Sequence, residues 1–464
     1  MKLKFMNNIG LIGLGVMGQN LVLNMNDHGY SVSVFNRTLD ITKTFCSQNI
    51  EKNIEGYEDL NSFILSLEKP RKIILLVKAG DIVDDVINQL KPLLESGDII
   101  IDSGNSFYKD TQRREQSLAI DKIRFIGLGI SGGEEGARNG PSFMAGGDEV
   151  AYAELEPILK NISALDFSSG KCVSYFGKGG AGHYVKMVHN GIEYIDMQLI
   201  ADIYNLLKNS NKNNDQILKF FKEANESEVE SYLIEITIKI LSKKDEDGKL
   251  LLDSILDYAS QKGTGQWASV SSLEIGYPGF SFASAVFSRY ASSQKDNRVK
   301  FSNIYNSNLN CLSIVPQSLL KSYYIAKIIS YAQGLDLIKK ASEINGWNIN
   351  MSECVRVWQG GCIIRARLLK LLLKVYEQNK NIDNILESKD ISVIINNGIN
   401  DLRTLSAEAI KNGIVATGFT SSLEYFENLI TKSLPSNLIA AQRDVFGAHG
   451  YKRIDEEGDF HTNW

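Results

Sequence analysis

Two hydrophobic periodicities divide the chain. In the first third, short apolar runs alternate with stretches of helical spacing. Strands are predicted at residues 9–12, 31–35, 73–77, 99–102 and 124–130, and a helix at 19–27. This alternation is typical of a doubly wound parallel sheet. After about residue 179 the strand pattern fades and long helical periodicity follows, for example over residues 365–376.

The change of period predicts three parts. An α/β Rossmann-like N-terminal domain covers residues 1–178, a large all-α domain covers 179–435, and a short C-terminal tail covers 436–464. The tail carries glycines among aromatic residues, so it is not predicted to form a regular helix. It is nevertheless too aromatic to remain freely disordered.

Composition narrows the class of protein. A chain of 464 residues with 43% hydrophobic residues can bury large cores in two or three domains. The net charge of -5, without a lysine–arginine block, argues against nucleic acid as the main partner. No apolar run is long enough for a membrane span, and no signal peptide is evident. The five cysteines are far apart without metal-ligand spacing. We therefore expect a cytoplasmic protein with reduced thiols, no membrane contact and no metal site.

A glycine-rich loop follows the first predicted strand and opens the first predicted helix. Its residues are Gly13, Leu14, Gly15, Val16, Met17 and Gly18. Glycines permit a tight turn and close approach to a pyrophosphate, and the helix N-terminus offers free N–H groups. The strand–loop–helix context predicts a dinucleotide site, with a tight turn that binds nothing as the alternative.

The end of the second predicted strand selects the cofactor. An NAD enzyme usually has an acidic residue there, whereas this chain has Asn36, Arg37 and Thr38. A guanidinium can pair with a 2′-phosphate and stack on adenine, so NADP is predicted. Asp40, slightly farther along, is the weaker rival for that position. Arg37 as an ordinary surface ion-pair residue is the other alternative.

A second glycine-rich segment, residues 127–137, follows a later strand. Consecutive N–H groups together with the hydroxyl of Ser131 can cradle an anion such as a carboxylate. Asn105 comes just after another strand, at the edge of the sheet where ligands of open α/β folds bind. Spacing alone leaves a purely structural loop as an alternative.

The helix predicted after residue 180 has two distinct faces. A buried stripe with spacings of three and four is formed by Val185, Val188, Ile192, Ile195 and Leu199. A second face, with the same spacings, carries Lys186, His189, Asn190 and Glu193. A lysine, a histidine, an amide and a carboxyl group together suit proton transfer on a polyol. A solvated face with a lysine–glutamate pair is an equally good interpretation of the spacing.

These segments together resemble the 6-phosphogluconate dehydrogenase family, from Gly10 to Trp464. The most specific segments are residues 130–137, 186–194 and 257–267, supported by 285–289 and 442–449. The departures are mild: Gly15 stands where many relatives carry alanine, Gln359 replaces a frequent arginine, and Val445 replaces a frequent aromatic residue. None of them removes a residue with an expected chemical role.

The resemblance implies oxidative decarboxylation of 6-phosphogluconate to ribulose 5-phosphate and carbon dioxide, with NADP as oxidant, in the oxidative pentose phosphate pathway. Neutral Lys186 would take the proton of the hydroxyl on carbon 3, and Glu193 would protonate carbon 1 of the enediol. The pKa of Lys186 must then fall far below its usual value of about 10.4. Burial lowers it, a charged His189 would add to this, and Glu193 must be largely protonated.

The resemblance also implies the contacts of both ligands and the assembly. The carboxylate would be bound by Ser131, Gly132 and Gly133, and the hydroxyls by Asn105, His189 and Asn190. The phosphate would be held by Tyr194, Lys262, Thr264 and Arg289, joined by Arg443 and His449 of the partner subunit. The cofactor would be contacted by Val77, Lys78, Ala79 and Asn105 besides the first glycine loop. A homodimer follows, in which each tail enters the partner's helical domain.

Two rival functions differ from this expectation. A shorter β-hydroxyacid dehydrogenase would share the cofactor loop and the lysine helix, but it oxidises without decarboxylation. The extra helical length and the expected phosphate ligands argue against it. A non-catalytic NADP sensor or scaffold would lose the lysine or the acid, whereas Lys186 and Glu193 are both present.

Overall fold

The computed structural model describes residues 6–261, 263–305 and 312–464. Eight strands lie in this part of the chain: β1 Ile9–Ile12, β2 Val32–Phe35, β3 Ile54–Gly56, β4 Lys72–Leu75, β5 Ile99–Asp102, β6 Arg124–Ser131, β7 Ser142–Gly147 and β8 Val173–Tyr175. They form one sheet of order β3-β2-β1-β4-β5-β6-β7-β8. The pairing is parallel except between β6 and β7, which run antiparallel. Parallel strands place their carboxyl ends at one edge, where ligands bind.

Seven helices alternate with these strands in the described chain: α1 Val16–Asp27, α2 Leu39–Gln48, α3 Leu60–Leu65, α4 Asp81–Leu90, α5 Tyr108–Ala119, α6 Gly133–Asn139 and α7 Glu149–Ile162. Twelve more follow within the described residues: α8 Ala181–Lys208, α9 Asn214–Asn225, α10 Tyr232–Ser242, α11 Thr264–Glu274, α12 Phe280–Ser293, α13 Lys295–Ile304, α14 Pro316–Asn345, α15 Met351–Val357, α16 Leu368–Gln378, α17 Lys389–Lys411, α18 Thr417–Ile430 and α19 Ser436–Gly447. Short 3-10 turns lie at Lys91–Leu93, Leu251–Ser254 and Ile385–Glu387.

The two longest helices, α8 and α14, form the centre of the helical part. The stripe predicted for α8 is buried, because Val185, Val188 and Ile192 are all inaccessible to solvent. Gly334 of α14 lies against the side chain of Ile192, and a Cβ at that position would overlap it. A glycine at this crossing therefore lets the two helices approach closely. None of the helices in the described residues is long and apolar enough to cross a membrane.

The predicted fold class, a Rossmann-like sheet followed by helices, is confirmed. The limits of β1 and β5 agree with the predicted strands, whereas α1 begins three residues earlier than predicted. The prediction for the tail is wrong over its first twelve residues, because Ser436–Gly447 is a regular helix. Its glycines lie at the end of α19 and beyond it, so they end the helix without interrupting it. The division at residues 178 and 435 stays a prediction.

Candidate active site

The first glycine loop joins β1 to α1 and leaves open space above it. A Cβ at Gly18 would overlap the carbonyl oxygen of Gly13, and Gly13 itself has a φ of +108°, so both positions require glycine. At Gly15 a Cβ would meet no atom within 4 Å. Gly15 precedes α1 without a side-chain cap, which leaves N–H groups of the first helical turn free for an anion.

Two residues after β2 have different environments: Asn36 is hydrogen-bonded to the glycine loop, whereas Arg37 is exposed. Asn36 accepts a hydrogen bond from the backbone N–H of Leu14 at 3.0 Å and donates to the carbonyl of Thr38 at 3.1 Å. It therefore holds the glycine loop against the end of β2. Arg37 is exposed, and no described residue pairs with it. Val77 lies beside Gly13, and the exposed Lys78 and half-buried Ala79 follow it after β4.

Helix α8 begins directly on the sheet, which sets the position of its polar face. A Cβ at Gly129 of β6 would overlap the Lys186 side chain. The missing side chain lets the two backbones approach, so that Lys186 is buried against the strand and only 5% exposed. The interpretation of this face as solvated is therefore wrong, because His189 and Asn190 are buried as well.

His189 joins Ser131, in the second glycine-rich segment, and Cys362 to the lysine. Its Nδ1 lies 3.0 Å from Asn190 Oδ1 and 3.4 Å from Lys186 Nζ. Its Nε2 lies 2.9 Å from Ser131 Oγ and 2.8 Å from Cys362 Sγ. An amide oxygen can only accept, so Asn190 favours the tautomer with the proton on Nδ1. Every polar atom of the ring thus has a partner.

Burial shifts the pKa values of Lys186 and Glu193 in opposite directions. Burial lowers the pKa of the Lys186 ammonium, although a charged Glu193 would act to raise it. Burial raises the pKa of Glu193, although Lys186 and Arg289 act to lower it. Both directions predicted from the sequence are confirmed. The pKa of His189 is held well below its usual value, mainly by burial and secondly by the positive charge of Lys186 when it is protonated. A neutral His189 adds no charge, so the pKa of Lys186 falls mainly through burial.

The next turn of α8 carries a second cluster. The guanidinium carbon of Arg289 lies 3.4 Å from the centre of the Tyr194 ring. On α11, Gly265 packs so close to the same ring that a Cβ there would overlap it, and Thr264 begins that helix. Tyr194, Thr264 and Arg289 thus lie together beside Glu193, as an anion site would require.

Some predicted site residues are not in contact with these clusters. Asn105 is exposed in the loop after β5, and Arg443 and His449 are exposed in the tail; none of the three touches a residue of either cluster in the described chain. Lys262 lies outside the described residues. Gly132 and Gly133, with φ values of +118° and +62°, begin α6 next to Ser131.

One contributor to the site was missed by sequence reasoning. Cys362 was interpreted only as a core thiol, yet its sulfur contacts His189, and the next residue, Ile363, donates its backbone N–H to Ser131 Oγ at 3.3 Å. The carbonyl of Gly361 also lies against Gly132. The glycine pair before Cys362 was the available signal. Among the described residues no group of histidine, cysteine, aspartate or glutamate could hold a metal ion.

The dinucleotide-type sheet, which carries a buried lysine and a protonatable glutamate on the helix that follows it, belongs to the β-hydroxyacid dehydrogenase superfamily. Comparison with known proteins narrows this class. The model for the NAD binding domain of 6-phosphogluconate dehydrogenase matches residues 8–177, and that for the C-terminal domain matches 182–464. The chain belongs to the 6-phosphogluconate dehydrogenase family.

Individual members of this family are similar to the chain over nearly its full length. The 6-phosphogluconate dehydrogenase, decarboxylating, of Escherichia coli is 46% identical over 461 residues, which cover 98% of both chains. The protein of that name from Staphylococcus aureus strain Mu50 is 47% identical with the same coverage. A solved 6-phosphogluconate dehydrogenase of Plasmodium falciparum superposes with a TM-score of 0.94 at 42% identity. The superposition covers 98% of this chain and 100% of the Plasmodium falciparum chain. That protein was studied in its apo form and in complex with NADP+ and with 6-phosphogluconate.

Proposed function

We propose that the protein oxidises and decarboxylates 6-phosphogluconate to ribulose 5-phosphate, with reduction of NADP to NADPH. The observation that carries this proposal is the buried pair on α8, in which the pKa of Lys186 is lowered and that of Glu193 is raised. A neutral amine and a protonated carboxyl group can act as base and acid in one reaction. The names of the full-length relatives support the same reaction.

Lys186 moves the first proton. Its neutral Nζ accepts the proton of the hydroxyl on carbon 3 as that carbon is oxidised, and bound NADP would accept the hydride. The carboxylate of the 3-keto acid then departs as carbon dioxide, and its bonding electrons move toward the ketone. The ammonium of Lys186 returns its proton to that oxygen, giving an enediol. Glu193 finally protonates carbon 1 of the enediol, which was carbon 2 of the substrate, while neutral Lys186 takes the proton of the adjacent hydroxyl, and this yields the ketose.

Burial of these two groups makes their roles compatible. If Glu193 were ionised, it would stabilise the ammonium form of Lys186 and remove the base. With its pKa raised by burial, Glu193 retains its proton until the enediol requires one. The Nε2 of neutral His189 lies against Ser131 Oγ and its Nδ1 lies 3.4 Å from Lys186 Nζ, so the histidine packs the base next to the carboxylate cradle.

The residues of the first glycine loop fit a dinucleotide with a 2′-phosphate. The uncapped start of α1 and the open space over Gly15 suit the pyrophosphate, and Val77 borders the loop. Arg37 is exposed and pairs with none of the residues that the structure describes, so it is available for the additional phosphate. When bound, NADP supplies the hydride acceptor. Lys78, Ala79 and Asn105 complete the cofactor contacts in this proposal, with Asn36 and Thr38 at the adenosine end.

The substrate lies between the two clusters of α8 in this proposal. Ser131, Gly132 and Gly133 bind the carboxylate, while Asn105, His189 and Asn190 bind hydroxyls. Tyr194, Thr264 and Arg289, with Lys262 from outside the described residues, bind the phosphate. The stacking of Arg289 on Tyr194 supports this, because it fixes the plane of the guanidinium. A dehydrogenase of the non-phosphorylated class has no need for such a cluster.

The tail is proposed to complete the site of a second subunit. Asp444 organises it by accepting hydrogen bonds from Gly450 N, Thr462 N and Trp464 Nε1, each within 3.0 Å. The tail is therefore ordered by its own contacts, while Phe446 remains 74% exposed. An ordered arm with an uncovered apolar face supports exchange between the subunits of a homodimer, which brings Arg443 and His449 to the partner's phosphate site.

In this proposal residues 1–178 bind the cofactor, residues 179–435 bind the substrate and form the dimer, and residues 436–464 reach the active site of the partner subunit. The four cysteines among the described residues are free thiols. Free buried thiols are usual in a reducing compartment and support a cytoplasmic location.

The test of this function is an NADPH absorbance assay with 6-phosphogluconate, repeated with NAD and with unphosphorylated gluconate. We expect turnover with NADP and 6-phosphogluconate, and little with either replacement. In Arg37→Ala, affinity for NADP should fall far more than affinity for NAD. Equal losses for both cofactors would exclude the 2′-phosphate role, and no NADPH from 6-phosphogluconate would exclude the function.

A further inference from the structure

A buried arginine connects two loops at the ligand edge of the sheet. The side chain of Arg114, on α5, is 1% exposed. Its Nη2 donates to the carbonyl oxygen of Gly80 at 3.0 Å, and its Nη1 lies 3.3 Å from Asp102 Oδ2 and 3.4 Å from Ser106 Oγ. Its Nε and Nη2 also pair with both carboxylate oxygens of Asp84, at 3.0 and 2.7 Å. We call these five residues the Arg114 cluster.

The partners of Arg114 belong to two separate connections. Gly80 ends the loop after β4, and Asp84 lies one turn into α4, which that loop starts. Asp102 ends β5, and Ser106 lies in the loop that follows it. The loops also touch directly, because a Cβ at Gly104 would lie 3.1 Å from the carbonyl oxygen of Val77.

Only a guanidinium can make this set of contacts. Arginine presents five N–H groups in a rigid plane, so it can serve two carboxylates, a hydroxyl and a carbonyl in fixed directions. Lysine has three donors on one atom and cannot span both loops. The hydrogen bonds from Arg114 hold the pKa of Asp84 at about 2, so this carboxylate stays charged. Asp102 is fully buried and also accepts from Gly104 N at 3.2 Å.

The two loops carry residues with proposed ligand contacts. Val77, Lys78 and Ala79 lie in the first loop and Asn105 in the second, although Arg114 itself touches none of these four side chains. We propose that Arg114 is a positioning residue, which locks the two loops into one rigid unit so that cofactor and substrate meet in register. This inference rests on the proposed function for its kinetic consequences, but its structural part does not.

The neighbouring arginine provides a matched control. Arg113 also pairs with Asp84, at 2.9 Å, but its side chain is 57% exposed and it touches neither loop. Three variants are compared: Arg114→Lys, Arg114→Gln and Arg113→Gln. For each, we measure kcat and KM with NADP and 6-phosphogluconate, and amide hydrogen exchange in residues 76–80 and 103–107.

In both Arg114 variants we expect faster exchange in both loops together and a loss of about 10- to 100-fold in kcat/KM for NADP, as misplacement of binding groups gives. Arg113→Gln should stay within about twofold of the wild type, as exposed ion pairs usually do. Full rescue by Arg114→Lys would mean that charge alone matters and would overturn the inference. So would accelerated exchange spread evenly over the sheet, which indicates general destabilisation.

Should both Arg114 variants fail to fold, Ser106→Ala offers a milder test, since it removes one bond and leaves both carboxylates paired. It must speed exchange in residues 103–107 and raise KM for NADP; normal values of both would overturn the inference. Hydrogen exchange requires no turnover. Failure of the wild type to oxidise 6-phosphogluconate would therefore refute the proposed function while the locking of the loops is still decided separately.

Discussion

The side chain of Lys186 is almost inaccessible to solvent and lies between Gly129 of β6 and His189. Its value as a base depends on this burial, because an exposed lysine would be protonated at neutral pH. The structure gives it no carboxylate partner at ion-pair distance among the described residues. Its chemistry therefore follows from where α8 begins on the sheet, and only indirectly from the residues beside it in sequence.

Replacement of Lys186 by methionine should remove the base and leave the cofactor site intact. We expect kcat to fall by about 10²- to 10⁴-fold or more, since general base catalysis contributes that much. The affinity for NADP without substrate should not change. NADPH absorbance and calorimetric titration measure the two effects. Lys178→Met, on an exposed lysine just before α8, is the control for replacing a lysine by methionine outside the site. Near-normal NADPH formation by Lys186→Met would refute the assigned base.

The same substitution should stabilise the fold. The pKa of Lys186 is lower in the folded protein than in the unfolded chain. Between the pKa of Lys186 in the folded protein and ~10.4, the unfolded chain therefore binds more protons, and stability rises with pH. Lys186→Met removes this penalty of about 1.4 kcal/mol for each pKa unit. Its unfolding midpoint in urea should exceed that of the wild type at pH 7, with the difference shrinking toward pH 10.

Lys327 is the control for this measurement. It is equally buried, but it pairs with Asp196 at 2.8 Å. Lys327→Met leaves a buried carboxylate unpaired and should cost about 3–5 kcal/mol. Lower stability of Lys186→Met at pH 7, comparable to that of Lys327→Met, would show that Lys186 is a structural cation.

At the scale of elements, Gly18 and Gly15 of the first glycine loop differ in the space available for a side chain. An added methyl group at Gly18 would overlap the Gly13 carbonyl, whereas at Gly15 it would meet open space. We expect Gly18→Ala to lower stability by about 1–3 kcal/mol, as overpacking does, and to weaken NADP binding. Gly15→Ala should cost under about 1 kcal/mol. Urea unfolding compares the stability of the two variants and calorimetric titration compares their NADP affinity, and equal effects would contradict this packing.

Local patterns predicted those elements whose period is regular. The stripe of α8 and the apolar runs of β1 and β5 are examples, because each buries a repeating set of side chains. Strand β7 was missed: Ser142–Gly147 is rich in small residues, and its pairing with β6 depends on the fold. The contact between His189 and Cys362 spans 173 positions, so no local spacing could reveal it. The face of Lys186 and Glu193 was predictable from spacing, which left a solvated face equally open, whereas its burial was expected only from the family resemblance.

At the scale of the whole molecule, the exposed tail predicts that active sites are shared between subunits. Arg443→Ala and Lys186→Ala subunits, each nearly inactive, should regain activity when dissociated and mixed. About a quarter of wild-type activity is expected, since half of the dimers are mixed and each holds one intact site. Arg443→Ala mixed with His449→Ala is the control, because every site then receives a defective tail. No recovery in confirmed mixed dimers would assign the tail to its own subunit.

The coupling of oxidation to decarboxylation distinguishes this reaction from that of a dehydrogenase that only oxidises. The measurement uses 6-phosphogluconate with an isotopic label at carbon 1, mixed with the protein and NADP. Labelled carbon dioxide and NADPH are quantified in the same sample over the same time. We expect equal amounts of the two, because the 3-keto acid formed through Lys186 loses its carboxylate before release. NADPH without labelled carbon dioxide would contradict the proposed function.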